Sequence, residues 1–376
     1  MLNKFFAELD DLGNLPTASA YSQAREKLKP EVFKGLNKIV VDTFYDDYPE
    51  DEEVLKWNGK LLLAVDGSKI HVFDTPETRE TFTVERNQFV EHVRGLGSFL
   101  YDVENEIIIN VELSKQKSEA SFIAENHINY IMPNSIILLD MGYNDYTTMA
   151  LLISKKVDFV IRFPVSSKYT EVKKFVESEE SSKVIELSVT ESQKKLVKKY
   201  NLSTKIKVRF VKVVLDNGQT EILGTTLMDA SISDLKYLYW KRWGIETYFD
   251  RFKNIFEVER FSGKKVQTIM QDFYGMVYLS NMESLLIKET NEELKSRNHL
   301  KKYTYKVNHS VSYSAMLDYL IDLFYKKASD EEIYQKMKII FKTNPVVERP
   351  GRKFTREKRR HSTRLAYVSY NKRVIS

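Results

Sequence analysis

Two short runs constrain the fold more than any other feature: LLLAVD at 61–66 and IILLD at 136–140, each fully apolar until it ends in an acid. An uninterrupted apolar run of this length suits a strand covered on both faces, as in a parallel or mixed sheet with helices above and below. A carboxylate at such a strand end has a fixed backbone and can turn its oxygens toward a cleft, which a divalent-metal site requires. Asp is equally at home opening a turn, and for Asp66 or Asp140 alone both readings stand.

The surrounding order supports a layered α/β chain. The first run continues past Gly67 through 70–73; GSFLYDVENEIIINVEL gives strands over 97–103 and 107–113 around a tight turn. A helix over 118–128, the second acid-ended strand, a helix over 146–154 and a strand over 157–163 follow. Residues 164–227 read as a β-rich insertion, with strands at 183–189, 205–215 and 220–227 and a hairpin turn at Asp216-Asn217-Gly218. One long helix is expected from Ser233 to Phe256, another over 266–294, and further helices over 310–342. The predicted fold is a ribonuclease H-like mixed sheet with a β-rich insertion and helical N- and C-terminal additions. Its expected parts are a helical region 1–53, a core in two pieces (54–163 and 228–295) around the insertion, a helical region 296–348 and a basic tail 349–376.

At the N-terminus, SAYSQAREKL predicts a helix over 19–28, and Pro30 suits the first turn of the next. Arg25, Lys27 and Lys29 lie beside the break and suit either a small DNA-contacting module or a plain helical cap. The seven acids between Asp42 and Glu53 read as an exposed linker.

Charge and composition narrow the chemistry. Zero cysteines exclude disulfides, thiolate nucleophiles and thiolate-bound metals. The six histidines show no HExxH or other close ligand spacing, which disfavours a zinc hydrolase. No run of 18 apolar residues and no leader-like opening occurs, so the expectation is a cytoplasmic protein without membrane contact. The net charge of +5 conceals a tail: Arg349–Arg373 holds ten Lys/Arg and the single acid Glu357, leaving the first 348 residues at −4. Arg352 and Lys353 in that tail are candidate phosphate contacts; a solubilising arm is the alternative. Arg94-Gly95-Leu96-Gly97 suits a turn before a strand, or a phosphate cradle.

The segment YWKRWGIETYFDRFK carries the remaining chemistry. Tyr239, Arg242, Glu246 and Lys253 stand at offsets 0, 3, 7 and 14, which on a single helix fall on one stripe. Glu246 could join Asp66 and Asp140 in a three-carboxylate set with Arg242 and Lys253 beside it. An ordinary salt-bridged helix face is the competing explanation.

This segment, with AVDGSK around Asp66, LLDMGY around Asp140 and SQAREKLKP near the start, resembles the DDE transposases of bacterial insertion-sequence family four, whose hallmark is Tyr, two residues, Arg, three residues, Glu, six residues, Lys. The resemblance covers about residues 20–350. It implies that Asp66, Asp140 and Glu246 are catalytic and hold Mg²⁺, with Mn²⁺ able to substitute, and that Tyr239, Arg242 and Lys253 contact DNA. Two metals clamped by carboxylates can activate an oxygen nucleophile, neutralise phosphoryl charge and stabilise the leaving 3′ oxygen. The implied activity is cut-and-paste transposition of an element bounded by terminal inverted repeats, with cleavage and transfer into target DNA. The implied assembly is a homodimer in a synaptic complex at the bacterial nucleoid. A domesticated nickase or a catalytically silent DNA-binding repressor are the alternatives. Some relatives stack a displaced base on a tryptophan of the insertion; here the tryptophans are Trp57, Trp240 and Trp243. That leaves Phe163, Tyr169, Tyr200 or Trp243 for such a role.

Overall fold

The computed structural model describes residues 5–348 apart from 8, 10, 11, 47–53, 87–90, 118, 216, 217, 298–302 and 326–328. The candidate tail contacts Arg352 and Lys353, and residues 216 and 217 of the expected hairpin turn, lie outside the described residues. The chain divides into two compact units, a sheet unit of Val41–Ile70 and Gly95–Phe249, and a helical unit of Met1–Val40, His71–Arg94 and Asp250–Ser376.

The strands, in chain order, are β1 (Leu61–His71), β2 (Thr83–Arg86), β3 (Glu91–Asp102), β4 (Ile107–Ser114), β5 (Ser135–Leu139), β6 (Asp158–Phe163), β7 (Ser182–Ser188), β8 (Lys205–Val214) and β9 (Thr220–Thr225). In the sheet unit their order is β4-β3-β1-β5-β6-β9-β8-β7. The pairs β1–β5 and β5–β6 are parallel, and β6–β9, β9–β8, β8–β7 and β3–β4 are antiparallel. This is a ribonuclease H-like mixed sheet with helical cover. The two apolar runs are its centre: Leu62, Leu63 and Ala64 and all of Ile136–Leu139 are fully buried. Covered on both faces, these strands have no solvent side for a polar residue to occupy, hence their unbroken apolar sequence. The strands expected within 164–227 extend this same sheet through β9, and the helices Thr170–Glu177 and Lys194–Lys199 join them.

Gly224 lies where β9 crosses two aromatic rings. A Cβ there would stand 2.7 Å from Phe163 Cε2 and 3.2 Å from Phe210 Cε1, both rings buried. Gly224→Val is therefore expected to destabilise the protein by about 2 kcal/mol through overpacking; urea unfolding followed by circular dichroism measures it.

Three expectations are corrected. Arg94-Gly95-Leu96-Gly97 is neither a turn nor a cradle but the interior of β3, with Leu96 opposite Ser114 and Gly97 opposite Leu113. The acidic stretch from Asp42 begins as helix, since Glu31–Asp46 is one helix that buries Val41 and Phe44, and the Tyr45 hydroxyl donates to Asp102 at 2.7 Å. The remainder of that stretch, 47–53, lies outside the described residues. The expected long helix over 233–256 is two helices, Ile232–Lys241 and Trp243–Asn254, meeting at Arg242. There the Arg242 N–H bonds the Tyr239 carbonyl three residues back rather than four, tightening the turn.

In the helical unit, Ala18–Lys27 is capped by the Thr17 side chain. Arg25 at its end serves structure, donating to Gln271 Oε1 at 2.8 Å and pairing with Asp272 at 2.6 Å, which binds it to the helix Val266–Arg297. Lys27 and Lys29 are exposed. The helices expected over 310–342 are His309–Tyr325 and Asp330–Phe341, and Ile333, Met337 and Phe341 pack with Ile287, Leu294 and Val307. The short strands β10 (Thr304–Lys306) and β11 (Val346–Glu348), not foreseen, pair antiparallel beside them. Glu283 is fully buried on the long helix, 2.9 Å from His309 Nδ1, and also accepts from the Ser312 hydroxyl. Burial opposes its charge, but His309, Arg251 and Ser312 outweigh burial and hold the carboxyl below its ordinary range.

Candidate active site

The register of the central strands decides where the two aspartates stand. Leu61 to Ala64 face Ser135 to Leu138 in step, and the same offset continued by two residues sets Asp66 level with Asp140. Asp66 lies within β1 just past its buried stretch; Oδ1 accepts the Gly67 N–H at 2.7 Å. Asp140 follows β5 and caps the 3-10 turn Met141–Tyr143, its Oδ1 accepting from the Gly142 N–H at 2.7 Å. Both readings of these acids therefore hold at once for Asp140, which ends a buried strand and opens a turn.

Glu246 comes from the first turn of Trp243–Asn254, and Arg242 from the helix junction before it. Arg242 is 5% exposed, with Nη2 2.8 Å from Glu246 Oε1 and Nη1 3.7 Å from Asp66 Oδ2. Its guanidinium also lies 5.6 Å from the Tyr239 ring centre and 5.4 Å from that of Trp243. Burial works against the Arg242 charge, yet Tyr239, Glu246 and Asp66 together hold it above its ordinary pKa. Tyr239 is itself buried, and burial raises its hydroxyl pKa against the lowering influence of Arg242 and Arg162. Gly244 lets this helix approach the β3–β4 turn, since a Cβ there would stand 3.3 Å from Val103 Cβ.

The structure thus brings Asp66, Asp140, Glu246, Arg242 and Tyr239 together in the sheet unit. Lys253 belongs to the helical unit, where burial holds its pKa down, Glu259 opposes and Arg94 adds to the effect. Two side chains escaped the sequence reading. Arg162, on β6, pairs with Glu221 at 2.9 Å and acts electrostatically on Tyr239; its only sequence signal is a cation inside the apolar run VIRF. The other is Trp240, whose exposure no sequence pattern announces. Of the aromatics expected to receive a base, Phe163 and Tyr169 are 3% and 7% exposed and committed to the core, a correction; Tyr200 is half-buried and Trp243 is exposed.

Asp66 reports the electrostatics of the site. Burial pushes its pKa up to about 6, Asp140 and Glu246 push the same way, and the Gly67 N–H and Arg242 oppose. Below pH 4 the carboxyl is protonated in folded and unfolded chains alike. Between about 4 and 6 the folded chain binds the extra proton, so stability falls as pH rises, and the full cost persists above 6. Asp66→Asn removes that cost. In chelator, the substituted protein is expected to be more stable than the wild type by about 2 kcal/mol at pH 7 and by less at pH 5. Urea unfolding at the two pH values measures the gap; a gap that does not widen contradicts the electrostatic account.

All donors here are carboxylate oxygens, the hard ligands that Mg²⁺ takes, and their mutual repulsion is of the kind a divalent cation relieves. In chemistry the set fits such an ion. Among the described residues no group of three or more His, Cys, Asp or Glu is gathered closely enough to hold a metal. Glu246 is instead turned to Arg242 and Asp140 to its own turn.

A mixed sheet with acids leaving two adjacent parallel strands and a third acid on a covering helix has the architecture of ribonuclease H-like nucleic-acid enzymes. The Transposase DDE domain family matches residues 57–282, and the chain belongs to that family. It is accordingly a DDE-type catalytic domain with helical additions. Among solved structures, the chain is similar to a piggyBac transposase from a cryo-EM synaptic complex with hairpin DNA, at 10% identity and a TM-score of 0.43 over 74% of this chain. It spans 57% of that piggyBac chain. No curated protein matches significantly. Among the described residues no helix is long and apolar enough to cross a membrane.

Proposed function

We propose that the protein is a cut-and-paste DNA transposase of insertion-sequence family four, acting at inverted-repeat ends with Asp66, Asp140 and Glu246 as catalytic carboxylates. The observation that supports this reading is Arg242 lying between Asp66 and Glu246, with Asp140 acting electrostatically on Asp66, within one unit. The carboxylates would hold Mg²⁺, which when bound supplies Lewis-acid neutralisation of the phosphoryl oxygens and activation of the attacking hydroxyl. Asp66 and Asp140 are fixed by strand backbone, so little entropy is lost in orienting them. Arg242 holds Glu246 in place through its Nη2, and its buried guanidinium keeps a positive charge beside the carboxylates. Tyr239 supports the guanidinium from its ring face.

Lys253 and the tail residues Arg352 and Lys353 serve as further DNA contacts, and the N-terminal region 1–53 contributes to binding the element end. The working form is a homodimer that pairs two ends on cytoplasmic, nucleoid DNA. The test is strand transfer: the full chain, a duplex carrying the flanking inverted repeat with a free 3′-hydroxyl, a supercoiled target plasmid and Mg²⁺. Covalent end–plasmid joints that vanish in chelator support the reading. End nicking without joints favours a domesticated nickase, and specific end binding without nicks or joints favours a repressor.

A further inference from the structure

Over residues 31–40 the helix Glu31–Asp46 has two unlike faces. On one, Phe33 lies against Gly275, Lys34 Nζ stands 4.5 Å from the Tyr274 ring centre, and Asn37 Oδ1 accepts from Asn281 Nδ2 at 2.7 Å. These contacts fix it to the helix Val266–Arg297. On the other face, Val32, Leu36 and Ile39 follow one another at helical spacing and form an apolar stripe, 45%, 37% and 62% exposed. Gly35 borders the stripe, and nothing lies within 4 Å of where a Cβ would stand there, so the backbone is open to close approach. Glu31 and Lys38, both exposed, lie two turns apart along that same margin.

We propose that this stripe is where a second copy of the chain docks, the two helices antiparallel with a two-fold axis near Gly35. The inference rests on the transposase reading for the homodimer itself, and adds where the copies meet. A two-fold contact joins one patch to itself, so the patch must be self-complementary. About an axis near Gly35, Val32 meets the partner's Ile39, Leu36 covers the partner's Gly35, and Glu31 meets the partner's Lys38, each contact occurring twice. A parallel pair would instead set Glu31 against the partner's Glu31 and Lys38 against the partner's Lys38, exchanging two attractions for two repulsions. DNA is a poor occupant, since its affinity comes from phosphates and the stripe offers three aliphatic side chains beside a carboxylate. A pair of short helix faces is a small interface, so the dimer is a weak one that forms without DNA.

The test is analytical ultracentrifugation of the full chain without DNA, where the wild type is expected to dimerise with a Kd of about 1 to 100 µM. The substituted side chains are exposed, so the variants should fold normally, which circular dichroism checks. Ile39→Lys should weaken the dimer by roughly 10-fold or more, the effect of a charge at the centre of a desolvated contact. Glu31→Lys and Lys38→Glu should each weaken it by roughly 3-fold or more, because each sets like charges together twice. An equimolar mixture of those two single variants should recover wild-type association, since every margin contact in the mixed dimer again joins opposite charges. Pairing within one chain cannot produce that recovery, as each chain carries one change. A wild type still monomeric at about 100 µM, undiminished dimerisation of Ile39→Lys, or a mixture that fails to recover overturns the interface. Strand-transfer joints report on the transposase reading separately: joints made by a chain whose dimer ignores Ile39→Lys remove this face alone, whereas a dimer lost in Ile39→Lys with no joints from the wild type keeps the face and removes the reading.

Discussion

Replacing Asp66, Asp140 or Glu246 singly by its amide is expected to lower DNA-end cleavage on the order of 10³-fold, the effect of withdrawing several kcal/mol of transition-state charge stabilisation. The amides keep shape and hydrogen bonding: Asn at 66 and 140 can still accept from the Gly67 and Gly142 N–H groups, so the strand ends stay in place. Folding and much of the end binding should therefore survive, and Asp66→Asn should even gain stability above pH 6. Gel analysis of a labelled inverted-repeat duplex separates the two effects, since bound but uncut DNA marks a loss of chemistry alone. Undiminished Mg²⁺-dependent cleavage in all three variants would remove these acids from the mechanism.

Arg242→Met is expected to act in the opposite direction on stability while also impairing cleavage. The guanidinium is the cation the structure places between Glu246 and Asp66, and its removal leaves two poorly hydrated carboxylates, with Asp140 adding to the repulsion. The loss should be about 2 to 3 kcal/mol at pH 7, below the full cost of breaking a wholly buried pair because Glu246 and Asp66 keep some solvent. Protonation relieves the repulsion, so the deficit should shrink toward pH 5. Adding Mg²⁺ should restore more stability to Arg242→Met than to the wild type, because the cation then replaces the missing positive charge. Thermal unfolding at two pH values, with and without Mg²⁺, tests all three statements; a deficit independent of both would make Arg242 a packing residue only.

The sequence revealed most where one physical cause acted alone. Burial on both faces forces parallel central strands to be unbroken and apolar, so LLLAV and IILL announced themselves and their terminal acids stood out. The β-rich run 182–225 was equally plain, but its membership of the central sheet depends on the β6–β9 pairing, which is tertiary. Arg94-Gly95-Leu96-Gly97 misled because paired glycines punctuate turns far more often than they line a strand. The acidic run from Asp42 misled for a related reason: charge suggested a loop, while Val41, Phe44 and the Tyr45–Asp102 bond hold it helical.

The site shows the same division. The offsets of Tyr239, Arg242 and Glu246 were sufficient to bring them together despite the break at Arg242, because they lie within two turns of it. Lys253, a further seven residues on, belongs to the other unit, and angular arithmetic on a single straight helix carries no information about that. Arg162 and Trp240 were invisible for want of a pattern. One is a cation admitted into a strand by its partner Glu221, and the other a tryptophan whose exposure is decided by what fails to cover it.

Metal binding tests the central claim most directly. Mn²⁺ titrated into the full chain with a DNA end present, and followed by electron paramagnetic resonance, should show saturable binding in the wild type that is lost in Asp66→Asn and in Asp140→Asn. Equal Mn²⁺ binding by wild type and both variants, or none by any of them, would contradict a metal centre built on these carboxylates.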